Sequence, residues 1–167
     1  MATDEWYTPD YVLEPIWDCL GYVDLDPCSN DIAQQRVLAG RYWTKDDDMF
    51  SKSPEEWMCD AVFMNPPYTA KAGTAGPYVA RFVDMYELGC FKEGILVLNA
   101  SINQKWWKPL RPFPHAIPFE RIKFVDADGN PGTSPRYNNV IVFVGPEMAW
   151  PRFARHFRHF CTVYAPI

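Results

Sequence analysis

The stretch Asp60-Ala61-Val62-Phe63-Met64-Asn65-Pro66-Pro67-Tyr68 constrains this chain more than any other segment. Its apolar run is too short for a helix and carries β-branched and aromatic residues, which predicts a buried strand. Pro66 and Pro67 lack N–H donors and have fixed φ, so strand pairing must stop there and the backbone must leave the sheet in a stiff, extended turn. The result is a rigid shelf at the carboxyl end of a strand, with Asn65 and Tyr68 held at set positions. In open α/β sheets that edge is where ligands bind.

The residue types on the shelf suit one kind of chemistry. An amino group conjugated to a base ring is a poor nucleophile because its lone pair is delocalised. The Asn65 side-chain oxygen and the Pro66 carbonyl, both acceptors, would draw such a nitrogen toward tetrahedral geometry and free the lone pair for an activated methyl group. Tyr68 offers a flat face on which an extruded base can stack. The plainer alternative is a strand-end turn with Tyr68 as a half-buried core aromatic.

A length of 167 residues allows one domain with a sizeable core, 1–167, and 48% hydrophobic residues fit a globular protein. Neither a signal peptide nor an apolar run of membrane length is present, which predicts a cytoplasmic protein that does not engage a membrane. The five cysteines are scattered without a CxxC pair, so neither a disulfide framework nor a zinc site is expected. The net charge of −5 is unevenly spread: residues 1–102 carry −10 and residues 103–167 carry +5. A cationic cofactor suits the first part and a polyanion the second, unless the asymmetry is surface charge without consequence.

Thr8-Pro9-Asp10 reads as a helix start with Thr8 as N-cap, followed by Val12, Leu13, Ile16, Trp17 and Leu20 at helical spacing and a stop at Gly21. Trp6 and Tyr7 before it can stack on a nucleoside or a sulfonium, or staple the helix. Tyr22 to Asp26 alternates as a first strand and runs into Asp26-Pro27-Cys28-Ser29-Asn30. A strand ending in an acid, then a small-residue turn and a helix, is the usual seat of a nucleoside cofactor. The turn lacks the glycines that permit close backbone approach, so Asp26 is either a cofactor anchor or a plain strand-end carboxylate. Ile32–Leu38 is expected to be a helix closed by Gly40, and Arg41–Thr44 a strand. Ser53-Pro54-Glu55-Glu56 is a capping box before the central strand.

Thr69 to Gly76, with Lys71 in its middle, reads as a substrate loop. A helix from Gly76-Pro77 to Gly89 follows, then a buried parallel strand over Ile95–Leu98. Lys105-Trp106-Trp107-Lys108 interleaves cations and aromatics, as nucleic-acid-binding segments do, or supplies two core tryptophans with solvated lysines. His115–Phe119 and Arg121–Val125 are expected to form a broken strand pair. Thr133 to Arg136 is read as a polar loop and Asn139–Val144 as a strand. The last helix begins at Pro151; Trp150, Phe153, Phe157 and Phe160 face inward, and its Arg and His residues track phosphates or simply meet solvent.

Asn65-Pro66-Pro67-Tyr68 after a hydrophobic strand resembles the catalytic motif of S-adenosylmethionine-dependent amino-group methyltransferases. Together with Trp6-Tyr7-Thr8-Pro9, Asp24-Leu25-Asp26-Pro27-Cys28-Ser29 and Arg121-Ile122-Lys123-Phe124, in that order, the chain most resembles phage-type DNA N6-adenine methyltransferases. The resemblance implies a three-layer Rossmann-like class I methyltransferase fold with a mostly parallel sheet and an antiparallel hairpin, here over 121–144, closing it. It implies methyl transfer from S-adenosylmethionine to adenine N6 in DNA, with base flipping and no metal, in a host bacterial cytoplasm if phage-encoded, where restriction-modification is one context.

Within that resemblance Asn65, Pro66, Pro67 and Tyr68 are catalytic. Trp6, Tyr7, Thr8 and Pro9 lie at the cofactor, as do Asp26, Pro27 and Cys28 and also Asn65. Asp48, or Asp46, accepts from the adenosine amino group or belongs to a solvated acidic loop. Lys71, Lys105, Lys108 and Arg136 contact DNA. The same chemistry on cytosine N4, RNA or a protein amide is an alternative, as is a degenerate nucleic-acid-binding protein on the same fold.

Overall fold

Proline at 66 and 67 and a glycine at 94 bracket the part of the chain that positions everything else. The computed structural model describes residues 5–67, 75–133 and 137–167. Tyr68, Lys71 and Arg136 lie outside the described residues, with most of the loop read from Thr69 to Gly76. The strands are β1 (Leu25–Asp26), β2 (Arg41–Tyr42), β3 (Ala61–Met64), β4 (Glu93–Asn99), β5 (His115–Pro118), β6 (Asn139–Val144) and β7 (Cys161–Tyr164). The α-helices are α1 (Asp10–Leu20), α2 (Asp31–Val37), α3 (Pro54–Trp57), α4 (Gly76–Glu87) and α5 (Trp150–Phe157).

Among the described residues the strands form one seven-stranded mixed sheet in the order β2-β1-β3-β4-β6-β5-β7. Pairings from β2 through β4 are parallel and those among β4, β6, β5 and β7 are antiparallel. All of β3 and β6 and the interior of β4 are buried, the pattern of strands covered on both faces. Alternation assigns the faces. Val62, Met64, Leu96 and Leu98 pack with Trp57 of α3 and Val79, Phe82 and Val83 of α4. Phe63, Ile95, Val97 and Phe143 pack on the other side with Val12, Leu13 and Ile16 of α1 and Phe153 and Phe157 of α5. None of the described helices is long and apolar enough to cross a membrane.

Several elements differ from the sequence reading. Thr8 does not cap α1; the helix starts at Asp10 with Pro9 as the N-cap residue, because the Thr8 hydroxyl is engaged elsewhere. The first strand is shorter than Tyr22–Asp26. Its upstream half pairs irregularly, since the Asp24 carboxylate accepts the backbone N–H groups of Asp60 (3.1 Å) and Ala61 (2.8 Å). β2 is likewise shorter than Arg41–Thr44. Helix α2 ends at Val37, and its C-cap residue Leu38 takes a left-handed conformation (φ 56°) two residues before Gly40.

Arg121–Val125 is not a strand, so the hairpin read over 121–144 is corrected: β6 pairs with β4 and β5. The place beside β6 is filled by His115–Pro118, and Val125 instead forms isolated bridges to Tyr7 and Pro131. The chain's last helix ends at Phe157 and not at Phe160. Spacing at 153, 157 and 160 mimics a helix, but β-branched Thr162 and Val163 then pair as β7 along the free edge of β5. Ser53 and Glu56 do form the capping box, with the Glu56 carboxylate accepting from the Ser53 N–H at 2.8 Å.

A Cβ added at Gly94 would lie 2.6 Å from Phe82 Cζ and 2.8 Å from the Val62 carbonyl oxygen. The backbone of β3 cannot give way there without disturbing the shelf. Gly94→Ala is therefore expected to cost ~1–3 kcal/mol in urea denaturation, the range for overpacking. A loss under about 0.5 kcal/mol would mean that α4 can retreat from the sheet.

Candidate active site

β1 leads through α2 to β2 on one side, and the chain then returns through α3 to β3 on the other side of β1. Val37 of α2 belongs to one core layer and Trp57 of α3 to the other. Strand order therefore reverses between β1 and β3, and the carboxyl ends of the two strands flank the place where open α/β sheets have their ligand crevice. Leu25 stands opposite Val62, so Asp26 and Asn65 leave the sheet along the same edge.

At β3, the sequence ends as its two prolines dictate: pairing stops at Met64, Pro66 is buried and Pro67 exposed. Asn65 Nδ2 donates to the hydroxyl oxygen of Thr8 at 3.2 Å. This contact ties residues 57 apart in the chain and holds the amide plane. The other end of the amide, Oδ1, is buried and finds no donor among the described residues. A buried carbonyl oxygen without a donor is costly, and this one lies at the carboxyl end of β3.

At β1, Asp26 is 2% exposed. Its Oδ1 accepts the Cys28 N–H at 3.2 Å and its Oδ2 accepts Gln34 Nε2 at 3.0 Å. Desolvation dominates over these donors and over Ser29, and pushes the Asp26 carboxyl up to about 7. A buried carboxylate with few compensating charges is a receptor for a cation. Pro27 is buried beside it. Cys28 carries its thiol to 3.1 Å from the Met49 sulfur, which fastens the turn to the loop after β2.

The N-terminal segment crosses this region. Tyr7 pairs backbone to backbone with Val125, N–H to O at 2.8 Å and 2.9 Å in the two directions. Its hydroxyl donates to Glu5 at 3.0 Å, and burial followed by that contact raises its pKa. Trp6 is 50% exposed and lies over Gly132, where an added Cβ would come within 3.0 Å of its ring. Pro9 feeds the chain into α1, its carbonyl accepting from Val12 and Leu13.

Other anticipated residues sit apart from one another. Asp48 is exposed, has φ 50°, and spends one oxygen on the Phe50 N–H at 3.1 Å. Phe50 meets Tyr78 of α4 edge to face, centroids 5.0 Å apart. Burial raises the Tyr78 pKa first, with Cys28 and Asp48 adding to it, so this aromatic pair neighbours the Asp26 turn. Lys105 and Lys108 are exposed on a 3-10 helix, Lys105–Leu110, beyond the carboxyl end of β4. Trp107 in the same helix is core, packed edge to face on His115, and Trp106 is half-buried.

Sequence reasoning missed Gln34, Phe50 and Tyr78. The two aromatics carried no signal beyond residue type. Gln34 did carry one: a long amide on the helix directly after a strand-end acid.

The raised Asp26 pKa has a stability consequence. Protonation is favoured in the folded state, so stability present below about pH 4 is lost as pH rises toward 7. Asp26→Asn is expected to stabilise the cofactor-free protein at pH 8 by a few kcal/mol at most, with the gain shrinking toward pH 4. Melting curves across that range check this, and equal curves would mean that the carboxylate is adequately solvated.

A family model of DNA N-6-adenine-methyltransferases (Dam) matches residues 1–156. None of the curated proteins compared with the chain matches it. The match spans both halves of the crevice, from the Thr8 segment through the Asp26 turn and the Asn65 shelf to α5, and the chain belongs to the DNA N-6-adenine-methyltransferase (Dam) family.

Proposed function

We propose that the protein transfers a methyl group from S-adenosylmethionine to the N6 amino group of adenine in DNA, as a single domain over 1–167 on a Rossmann-like class I sheet. The observation that carries this reading is the buried Asn65 Oδ1 at the sheet edge, without a donor among the described residues, in a chain of this family. The reversal of strand order at β1/β3 supports the fold assignment.

S-adenosylmethionine, when bound, supplies a methyl group on a cationic sulfur. Asn65 Oδ1 and the Pro66 carbonyl accept the two N–H bonds of adenine N6, which localises its lone pair for attack. Thr8 keeps the Asn65 amide from rotating. Asp26 receives the ammonium of the cofactor's amino acid end, in the turn of Pro27 and Cys28. Trp6, Tyr7 and Pro9 line the approach, and Asp48, with Phe50 and Tyr78, borders the adenosine. Tyr68 stacks the flipped base and Pro67 stiffens its approach. Lys71, Lys105, Lys108 and Arg136 meet phosphates. The host cytoplasm is the compartment for such a reaction.

Asn65→Ala is expected to lower turnover ~10²-fold or more with cofactor affinity nearly intact, since its acceptor acts on the reacting amine. Incubating DNA with each protein and profiling modified nucleosides measures this. Failure of the parent protein to produce N6-methyladenine would overturn the assignment; equal turnover in the mutant would remove Asn65 from it. Tyr68→Ala should harm duplex substrate more than the same sequence with a mismatch opposite the target, while Tyr68→Trp retains activity. Equal losses on both substrates would remove the stacking role.

A further inference from the structure

The turn after β1 lacks glycine, and one side chain from outside it bonds both to the strand end and to the turn. Gln34 Nε2 donates one hydrogen to Asp26 Oδ2 at 3.0 Å and the other to Ser29 Oγ at 2.8 Å. Gln34 Oε1 accepts the Ala39 N–H at 2.9 Å. Both hydrogens and the oxygen of the amide are thus engaged, on the strand end, on the turn and on the link to β2. The Ala39 contact also fixes the sense of the amide. Rotated by half a turn, Gln34 would present oxygen to the Asp26 carboxylate and nitrogen to a backbone N–H, two repulsions for two attractions.

We propose that Gln34 is a positioning residue for cofactor binding: its amide orients the Asp26 carboxylate and favours the ionised form that receives the ammonium of the cofactor's amino acid end. This rests on the reading of Asp26 as cofactor anchor. The surroundings leave Gln34 little competition. Among the described residues the titratable group facing Asp26 is the Cys28 thiol of its own turn, itself raised by burial and then by Asp26. From α2 come only Gln34 and, before the helix, Ser29. Tyr42 of β2 spends its hydroxyl on Asp31 at 2.8 Å, Tyr78 of α4 senses Cys28 and Asp48, and Asn65 of the β3 edge is neutral. No cation is among the causes acting on Asp26, so donated hydrogens carry the stabilisation of its charge. Loss of one donor displaces the titration to higher pH.

The test is calorimetric titration with S-adenosylmethionine from about pH 5.5 to about pH 9 on the whole chain, with melting temperature recorded for each protein. The parent protein should bind more tightly as pH rises to about 7 and lose affinity above about pH 8, as the cofactor's own ammonium deprotonates. In Gln34→Met, close in length but without donors, the rising limb should move to higher pH. Affinity at pH 7 should fall roughly tenfold or more relative to the parent, as for a charge-assisted hydrogen bond, and the ratio of the two affinities should shrink toward about pH 9, where the ligand's own titration cancels. Gln34→Glu, which sets a second carboxyl beside the first, should move further. Carbon-13 titration of the Asp26 carboxyl in the cofactor-free parent and in Gln34→Asn supplies the same midpoint if Gln34→Met fails to fold. An unmoved midpoint, or a pH-independent loss that follows a fall in melting temperature, would overturn the proposal and leave Gln34 a structural staple. Should Asp26→Asn bind the cofactor as tightly as the parent, it is the anchor reading that fails, and the Gln34 role falls with it.

Discussion

Burial of β3 on both faces is the constraint on which the rest depends. Four residues, Ala61–Met64, are all paired to β4 on one side, Val62 is paired to β1 on the other, and the strand is covered by α4 and α1 layers above and below. A strand held from four directions has one free direction left, along its own axis. The two prolines then convert that direction into a fixed exit. Asn65 inherits its position from this packing, and a single hydrogen bond to Thr8 sets its orientation. Precision of this kind comes from a rigid element and costs little entropy when a substrate arrives.

Two polar groups of different character stand at this edge of the sheet. Among the described residues Asn65 Oδ1 has no donor, and Asp26 accepts hydrogen bonds but has no cation among the causes acting on it. Buried polar groups are normally matched. In the proposed reaction the first would accept from the N–H groups of the base and the second would meet the positive charge of the cofactor. The cost is carried by a sheet whose hydrophobic interior is otherwise continuous.

Residue pattern revealed much of this. The run at 61–64 and its proline stop, the buried strands near 95–98 and 139–144, and the capping box at Ser53 were all legible, because each rests on local chemistry. The acid at Asp26 was legible as a strand end before a small-residue turn. What stayed hidden was non-local. Arg121–Val125 has the composition of a strand, yet the N-terminal Tyr7 claims Val125 by two backbone hydrogen bonds. Cys161–Tyr164 drew no strand reading, because aromatic spacing runs on to Phe160, past the true end of the helix at Phe157. Thr8 has good cap chemistry, but a partner 57 residues away outbids the adjacent helix. Gln34 follows a strand-end acid on the next helix, but its role shows only when its three partners come together from three segments.

The two ends of the sheet are unlike. At one end β2 is two residues long, and its Arg41 reaches back to the Met58 carbonyl at 3.0 Å. At the other, among the described residues, β7 is four residues long and pairs along one side only, with β5. Short charged edges deter strand addition, whereas a longer open edge leaves a row of backbone groups unpaired. The asymmetry of the sheet therefore puts its open backbone groups chiefly on the β7 flank, far in strand order from the β1/β3 edge.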